Sequence, residues 1–252
     1  MRYKINERVK VTKTKIAGVL TGVMGVALLS VMTLTGGAGA APTSTFSISP
    51  WVFDPGNACP GIVSQWDTTI GNPPPSLHLT KPCPTATNAS SGASVNGVNG
   101  ITLTELNFDY RNDGHCGAGA PRYNVVTSDD VTHFFGCASA TKTATTDSNW
   151  TNASWDPTNP AQAFPVITAG ETVKSIDIVF DEGTDQGNGF AYLDNFSINS
   201  QIIGAPSTPA TKDACKNGGW QNLQDASGKP FKNQGDCVSY VATGGKNPAN
   251  GS

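Results

Sequence analysis

Two runs of alternating apolar and polar residues constrain the fold of this 252-residue chain more than any other feature. They lie within residues 174–199 and are joined by an acidic, glycine-rich segment. The apolar residues that share a phase are Ile176, Ile178 and Phe180 in the first run and Phe190, Tyr192, Phe196 and Ile198 in the second. Side chains alternate faces along a strand, and glycine favours tight turns. The pattern therefore predicts a long antiparallel pair of strands with one buried face.

Other strands must cover that apolar face, because a single hairpin is barely stable in water. The composition agrees with many short strands joined by turns. The chain contains 28 glycines and 17 prolines, and only 14% of its residues are charged. We therefore predict an all-β fold, an antiparallel β-sandwich.

Several further segments carry strand-like patterns. They are residues 46–53, 62–69, 76–80, 101–110, 122–127, 131–136 and 164–168. The apolar phase changes at Glu105, which indicates either a β-bulge or a strand that is buried on both faces. Residues 81–100 are rich in Ala, Ser, Asn and Gly and predict a loop. Residues 122–136 predict a hairpin, and no helix is predicted after residue 40.

Asp194 falls in the same phase as the apolar residues of the second run. A carboxylate on a buried face is costly unless it is paired, hydrogen-bonded or bound to a metal. One interpretation is a structural Ca²⁺ site, because Ca²⁺ prefers carboxylate and carbonyl oxygens. The other is a bulge that turns Asp194 outward, or a hydrogen bond from a loop amide. Two other acidic groups are further Ca²⁺ candidates, Asp181 with Glu182 and Asp185, and Asp109 with Asp113.

The first 40 residues have the pattern of an export signal. Six basic residues precede a long apolar run, and a small-residue Ala38-Gly39-Ala40 site follows it. The apolar run is also close to the length that spans a bilayer, so an uncleaved membrane anchor is the alternative. Both interpretations predict a secreted, extracellular or cell-surface protein. The membrane would then be contacted only through this segment, if it stays uncleaved.

The charge balance after the leader argues against two classes of partner. Residues 41–252 carry 10 basic and 18 acidic side chains, a net charge of −8. Nucleic acids and anionic membrane surfaces are bound through basic patches, so neither is expected as a partner. The acidity is concentrated in residues 41–204, which carry 5 basic and 15 acidic side chains.

All six cysteines lie after the leader, and an even number in an exported chain favours disulfides. Six cysteines allow 15 connectivities. Neighbour pairing is the simplest, and the predicted hairpin would bring Cys116 and Cys137 together at the ends of its arms. The predicted bridges are Cys59–Cys83, Cys116–Cys137 and Cys215–Cys237. Zinc binding is the competing interpretation, but the sequence has no closely spaced CxxC pair.

Composition divides the exported chain into four parts. Residues 41–204 are predicted to form the β-sandwich, and residues 205–212 are a linker. Residues 213–243 form a small motif that depends on its disulfide, because it is too short to have a core of its own. Residues 244–252 are predicted to be disordered.

Two tryptophans in a polar segment are the best candidates for a binding platform. Sugars stack on exposed aromatic faces and hydrogen-bond to the polar side chains around them. The candidate binding residues are Trp150, Trp155, Asn149, Asn152 and Asp156. The alternative is that both indole rings close the end of the sandwich.

Catalysis has little support in the sequence. A glycosidase needs two carboxylates on opposite sides of a cleft, and nothing local places Glu105 and Glu171 together. The sequence has three histidines but no GxSxG nucleophile motif. We therefore predict that the chain is not an enzyme.

Two segments resemble known proteins. The segments SIDIVFDEG and AYLDNFSIN resemble the terminal strands of jelly-roll β-sandwiches of the carbohydrate-binding-module type, over residues 46–203. This resemblance implies a jelly-roll fold and a structural Ca²⁺ site at Asp194. The segment CKNGGW…FKNQGDCVSYV resembles a C-terminal motif of exported bacterial proteins and implies no chemistry.

The function expected from these features is non-catalytic binding of a carbohydrate or a surface polymer. A structural or adhesive surface protein with a protein partner is the alternative, since the leader, the linker and the disulfide motif fit it equally well. A secreted hydrolase is the third possibility.

Overall fold

The chain folds into an antiparallel jelly-roll-like β-sandwich, the predicted fold class, with a small disulfide-held C-terminal appendage. The structure is a computed structural model and describes residues 46–117, 119–205, 207–226 and 229–250. The predicted signal or anchor segment lies outside these residues. In the part of the chain that the structure describes, no helix combines the length and apolar character needed to cross a bilayer.

Within the described residues, twelve strands form two sheets. In chain order they are β1 (Ser47–Phe53), β2 (Val63–Asp67), β3 (Ser76–Thr80), β4 (Ser90–Asn96), β5 (Leu106–Arg111), β6 (Arg122–Thr127), β7 (Thr132–Gly136), β8 (Thr141–Ala144), β9 (Trp150–Trp155), β10 (Val173–Phe180), β11 (Phe190–Ile198) and β12 (Gln201–Ile203). The first sheet has the order β1-β4-β10-β6-β7. The second sheet has the order β2-β3-β11-β5-β9-β8, and β12 pairs with β11.

The core lies between the two sheets and is centred on aromatic rings. The Phe108 ring packs 5.0 Å from Trp155 and 5.5 Å from Tyr123, measured between ring centroids. The polar groups of these residues are satisfied inside the core. The Tyr123 hydroxyl donates to the Asn107 carbonyl at 2.8 Å, and Trp155 Nε1 donates to the Gly136 carbonyl at 3.0 Å. Such hydrogen bonds avoid the cost of burying an unpaired polar group.

The two strands that dominate the sequence pattern are both present, but they do not pair with each other. β10 lies in the first sheet and β11 lies in the second, so the prediction of a hairpin was wrong. The acidic segment between them crosses from one sheet to the other and is tied to the chain beyond β3. Lys81 N–H donates to the Gly189 carbonyl at 2.8 Å, and Thr184 N–H donates to the Cys83 carbonyl at 3.2 Å.

Some segments predicted as loops are strands. Residues 81–100 contain β4, which lies between β1 and β10, and the polar region before Asp156 contains β8 and β9. Conversely, β5 begins only at Leu106, so the phase change at Glu105 marks the end of a loop and not a bulge. Residues 164–168 contribute a single bridge, between Phe164 and Phe134. The predicted hairpin of residues 122–136 is confirmed as β6 and β7.

All three predicted disulfides are confirmed. Their Cα–Cα distances are 5.5 Å for Cys59–Cys83, 5.3 Å for Cys116–Cys137 and 5.8 Å for Cys215–Cys237. Disulfides of this kind are typical of proteins from oxidising compartments, which fits an extracellular protein.

The C-terminal appendage contains an α-helix, α1 (Gln234–Ala242), which the sequence analysis did not predict. The Asn233 side chain caps its first turn by accepting from Asp236 N–H at 2.9 Å. Residues 244–250, predicted as disordered, are held by hydrogen bonds such as Ala249 N–H to Asp225 at 3.0 Å. The 3₁₀ helix Gly219–Asn222 contacts β1, so the appendage packs against the sandwich.

Candidate functional site

Asp194 lies on the outer face of the second sheet. Leu193, its neighbour in β11, is buried in the core, and successive side chains of a strand point to opposite faces. Asn195 then adopts a positive φ of 46°, and the pairing of β11 with β5 shifts at this point. The shift is a bulge, and after it Phe196 points inward. The side chains of Phe190, Tyr192 and Asp194 therefore share one face of β11, as predicted, but that face points outward. The prediction that Phe190 and Tyr192 face the core was wrong.

A network of amides surrounds Asp194 and the carboxylate opposite it, Asp109. Both carboxylates are buried. Asp194 accepts the backbone N–H groups of Asn72 at 2.5 Å and Asn195 at 2.7 Å. Asp109 accepts the side-chain amides of Asn152 and Asn195, each at 2.8 Å, and of Asn72 at 3.2 Å. Burial raises the pKa of Asp194, and the charge of Asp109 adds to this effect while the two N–H groups oppose it.

The raised pKa gives a test of what holds Asp194. In EDTA, we expect the unfolding free energy of the wild type, relative to Asp194→Asn, to fall as pH rises through this pKa. The folded chain holds the carboxyl proton more tightly than the unfolded chain in that range. The effect is about 1.4 kcal/mol for each unit between the two pKa values, measured by urea unfolding from acid to neutral pH.

The same series with Ca²⁺ tests the predicted calcium site. Bound Ca²⁺ favours the ionised carboxylate, so it would reverse the sign of the difference and raise the melting temperature of the wild type alone. A rise with pH in EDTA would show that burial does not control this carboxyl group. Calcium binding at Asp194 stays a prediction.

Next to this network, a stack of planar groups crosses three strands of the outer face. His78 of β3 stacks on Tyr192 of β11, with ring centroids 4.2 Å apart and planes 4° apart. The Arg111 guanidinium of β5 lies 4.4 Å from the centre of the same Tyr192 ring. Phe190 meets Tyr192 at 5.9 Å with its plane turned by 70°. Asp113 holds Arg111 in place through two hydrogen bonds of 2.5 and 2.6 Å.

The surroundings set the protonation states of this stack. Burial lowers the pKa of His78, and Arg111 adds to this effect while Asp67 opposes it, so the imidazole is neutral at neutral pH. Burial also raises the pKa of the Tyr192 hydroxyl, and the charge of Asp67 raises it further. Tyr192 therefore keeps its proton, which it donates to the Asp67 carboxylate, and its hydroxyl oxygen can accept a hydrogen bond from a ligand.

Two depressions meet at Arg111. One has a volume of about 620 Å³ and is lined by residues 69–71, 111–113 and 148–150. The other, of about 400 Å³, is lined by residues that include His78, Phe190 and Tyr192. Arg111 lines both depressions on the outer face of the second sheet, and we call the two together the Arg111 groove.

The structure separates the predicted binding residues into three places. Asn149 and Trp150 line the Arg111 groove, whereas the Asn152 side chain donates a hydrogen bond to Asp109. Trp155 and Asp156 line a different depression, of about 370 Å³.

Neither predicted tryptophan offers a ring face to a ligand. Trp150 is only 3% exposed and Trp155 only 1% exposed, so the expected stacking platform of two indole rings is not formed. Trp155 points into the core, and Trp150 is covered on the outer face of the sheet.

The residues of the stack were missed for a specific reason. Phe190 and Tyr192 share the phase of Asp194, and that shared phase was interpreted as a core face. The polar partners of Tyr192 across the sheet, His78 and Arg111, are far from it in the sequence. Asp194, a carboxylate on the same face of the strand, was the signal that these aromatic residues face outward.

The other acidic candidates for Ca²⁺ have protein partners. Asp181 pairs with Arg122 at 2.6 Å, Glu182 contacts His115 at 2.5 Å, and Asp185 accepts from Thr85 at 2.7 Å. Among the described residues, no three His, Cys, Asp or Glu side chains are grouped so that they could hold a metal ion.

Comparison with known proteins gives similarities to solved structures only. No protein-family model and no curated protein matches the chain. The chain is similar to the family 11 carbohydrate-binding module of the cellulosomal cellulase Lic26A-Cel5E of Clostridium thermocellum, with 13% identity and a TM-score of 0.37. That match covers 63% of this chain and 88% of the module. The chain is also similar to a β-1,2-glucanase from Parabacteroides distasonis, with 15% identity, a TM-score of 0.37 and coverage of 67% of this chain and 25% of the glucanase.

Proposed function

We propose that the chain is an exported, non-catalytic module that binds a carbohydrate in the Arg111 groove. The observation that carries this proposal is the stack of His78, Tyr192 and Arg111 beside Phe190, in an open groove lined by hydroxyl, amide and carboxylate groups. A sugar ring has an apolar C–H face and a rim of hydroxyls, so it needs an aromatic surface and polar groups close together.

Phe190 is the ring with the free surface. Both faces of Tyr192 are occupied, one by His78 and the other by Arg111. Phe190 is partly exposed and lines the groove, so its ring can stack against a sugar. The Tyr192 hydroxyl oxygen can accept from a sugar hydroxyl, and Asn149 lines the other depression.

The state of the nearby carboxylates favours binding over hydrolysis. Although burial raises it, hydrogen bonds from Thr69 and Ile70 hold the pKa of Asp67 below its usual value. The Arg111 guanidinium lowers the pKa of Asp113. A glycosidase needs one carboxylic acid with a raised pKa to protonate the leaving group, and neither Asp67 nor Asp113 has that property. Asp194 does have a raised pKa, but it is buried and accepts the backbone N–H groups of Asn72 and Asn195.

Phe190→Ala is expected to weaken binding of the recognised polysaccharide about tenfold. Losing one aromatic stack removes roughly 0.5–1.5 kcal/mol beyond the buried area, and 1.4 kcal/mol corresponds to a factor of ten. Affinity electrophoresis and calorimetry on a panel of neutral, anionic and cationic polysaccharides would measure the change.

The matched control is Ile202→Ala. Ile202 is 68% exposed on β12, next to the far end of β11, and does not line the Arg111 groove. Equal effects of the two substitutions would count against the groove. If no polysaccharide binds, the adhesive function with a protein partner becomes the better hypothesis.

A further inference from the structure

The outer face of the first sheet carries a second set of aromatic residues, on the opposite side of the sandwich from the Arg111 groove. One cross-strand row runs from Trp51 of β1 through Gly92 and Val179 to Arg122 of β6. Phe53 lies beside this row on the same face of β1 and is 50% exposed. An exposed aromatic side chain on a strand face is a common element of binding surfaces.

Gly92 allows Trp51 to lie over the sheet. A Cβ atom at position 92 would come within 2.4 Å of Cζ2 of the Trp51 ring, so the ring occupies the space above β4. The indole therefore covers the backbone of the neighbouring strand and extends the surface that Phe53 begins.

A depression of about 560 Å³ adjoins Phe53, and its lining is polar. It is lined by Asn88 and Ser90, and by Arg122 with its partner Asp181. A ring at the rim and hydroxyl, amide and guanidinium groups inside are the combination that a sugar requires.

Arg122 is fixed and its charge is balanced. It donates to the two Asp181 oxygens at 2.6 and 2.7 Å, to Asn124 at 2.8 Å and to the Gly119 carbonyl at 2.9 Å. Its guanidinium also lies 5.9 Å from the centre of the Phe134 ring. Because Asp181 neutralises Arg122, and because the sandwich carries 15 acidic and 5 basic residues, an anionic polymer would be repelled.

We propose that this set, which we call the Phe53 surface (Phe53, Trp51, Ser90, Arg122 and Asp181), is a second carbohydrate-binding site and takes a neutral polysaccharide. It shares no lining residue with the Arg111 groove, and its aromatic residues, Trp51 and Phe53, lie on a strand of the other sheet. A module with both sites binds two polysaccharide segments at once. Two linked sites raise the overall affinity for a long chain without any new contact.

The test uses a soluble neutral polysaccharide, a mixed-linkage β-glucan or a xyloglucan, and four variants of the purified chain. These are Phe53→Ala, Phe190→Ala, the double variant, and Ile202→Ala as control. Light scattering reports cross-linking of the polysaccharide, and calorimetry with a short oligosaccharide reports the number of sites. Melting temperatures check that each variant is folded.

The expected results follow from two independent sites. The wild type and Ile202→Ala bind two oligosaccharides per chain and cross-link the polysaccharide. In each single variant one of the two sites binds the oligosaccharide about tenfold more weakly and cross-linking of the polysaccharide falls, and in the double variant both sites are weakened about tenfold.

Other outcomes separate the two proposals. If Phe53→Ala binds and cross-links like the wild type, the Phe53 surface is not a site. If Phe53→Ala abolishes binding and Phe190→Ala has no effect, the Phe53 surface is the site and the proposal for the Arg111 groove fails. If the wild type binds neither neutral polysaccharide, the Phe53 surface has no ligand of the proposed class.

Discussion

Lys81→Met is expected to lower the free energy of unfolding by about 3–5 kcal/mol, since removing a buried charged donor leaves its acceptors unpaired. Lys81 is only 1% exposed. Its ammonium donates to the carbonyls of Thr85 and Thr87, each at 2.9 Å, and to the carbonyl of Asp181 at 2.8 Å. These three acceptors connect the loop before β4 with the end of β10. Methionine has nearly the same shape but cannot donate, so three carbonyls around a buried side chain lose their partner.

The control is Lys174→Met, which removes a lysine from an exposed ion pair with Asp130. Exposed pairs contribute little to stability, so this variant should unfold close to the wild type in urea. If both variants lose the same small amount, water replaces the Lys81 ammonium and the buried contacts do not hold the loop. Because Lys81 also lines the depression beside Phe53, the destabilised variant should bind less at that surface.

The sequence predicted the class of fold because period-2 alternation is a local property. β10 and β11 were both found from it, and the hairpin of β6 and β7 was found from its short polar turn. Alternation does not say which strands pair. β10 and β11 therefore looked like one hairpin, although the segment between them crosses from one sheet to the other.

β4 was missed because its sequence does not show the alternation of large apolar and polar residues that predicts a strand. Its residues are small, and Gly92 must be small because the Trp51 ring occupies the space above it. A strand in the middle of a sheet can thus look like a low-complexity loop when its neighbours supply the large side chains.

The candidate site depended on information that the local sequence does not contain. The bulge at Asn195 reverses the phase of β11, and this decides that Tyr192 faces the groove while Phe196 faces the core. The partners of Tyr192 come from β3 and β5, which only the sheet order places on either side of β11. Trp150 and Trp155 were predicted as a binding platform for the same reason, since they lie in a polar segment that folds into a covered strand.

Folding of the C-terminal appendage is expected to depend on a single disulfide bridge. Its core is small and includes Phe231 and Tyr240, whose ring centroids lie 5.3 Å apart. The Cys215–Cys237 bridge closes a loop with a sequence separation of 22. Closing a loop of this length contributes about 3 kcal/mol in the chain-entropy model. A core this small cannot replace that contribution, since short segments bury too little apolar surface to offset their lost entropy.

We therefore expect Cys215→Ser with Cys237→Ser to unfold the appendage while the sandwich stays folded. Limited proteolysis should then cleave after residue 205, and a stable fragment containing β1 to β12 should remain. The matched control is Cys59→Ser with Cys83→Ser, which removes a bridge with a sequence separation of 24 from the sandwich. That control should lower the melting temperature of the sandwich and leave α1 protected.

If the appendage of the first variant resists protease as the wild type does, its contact with β1 holds it and the bridge is dispensable. If the sandwich melts together with the appendage, the two are one cooperative unit, and the disulfide stabilises both.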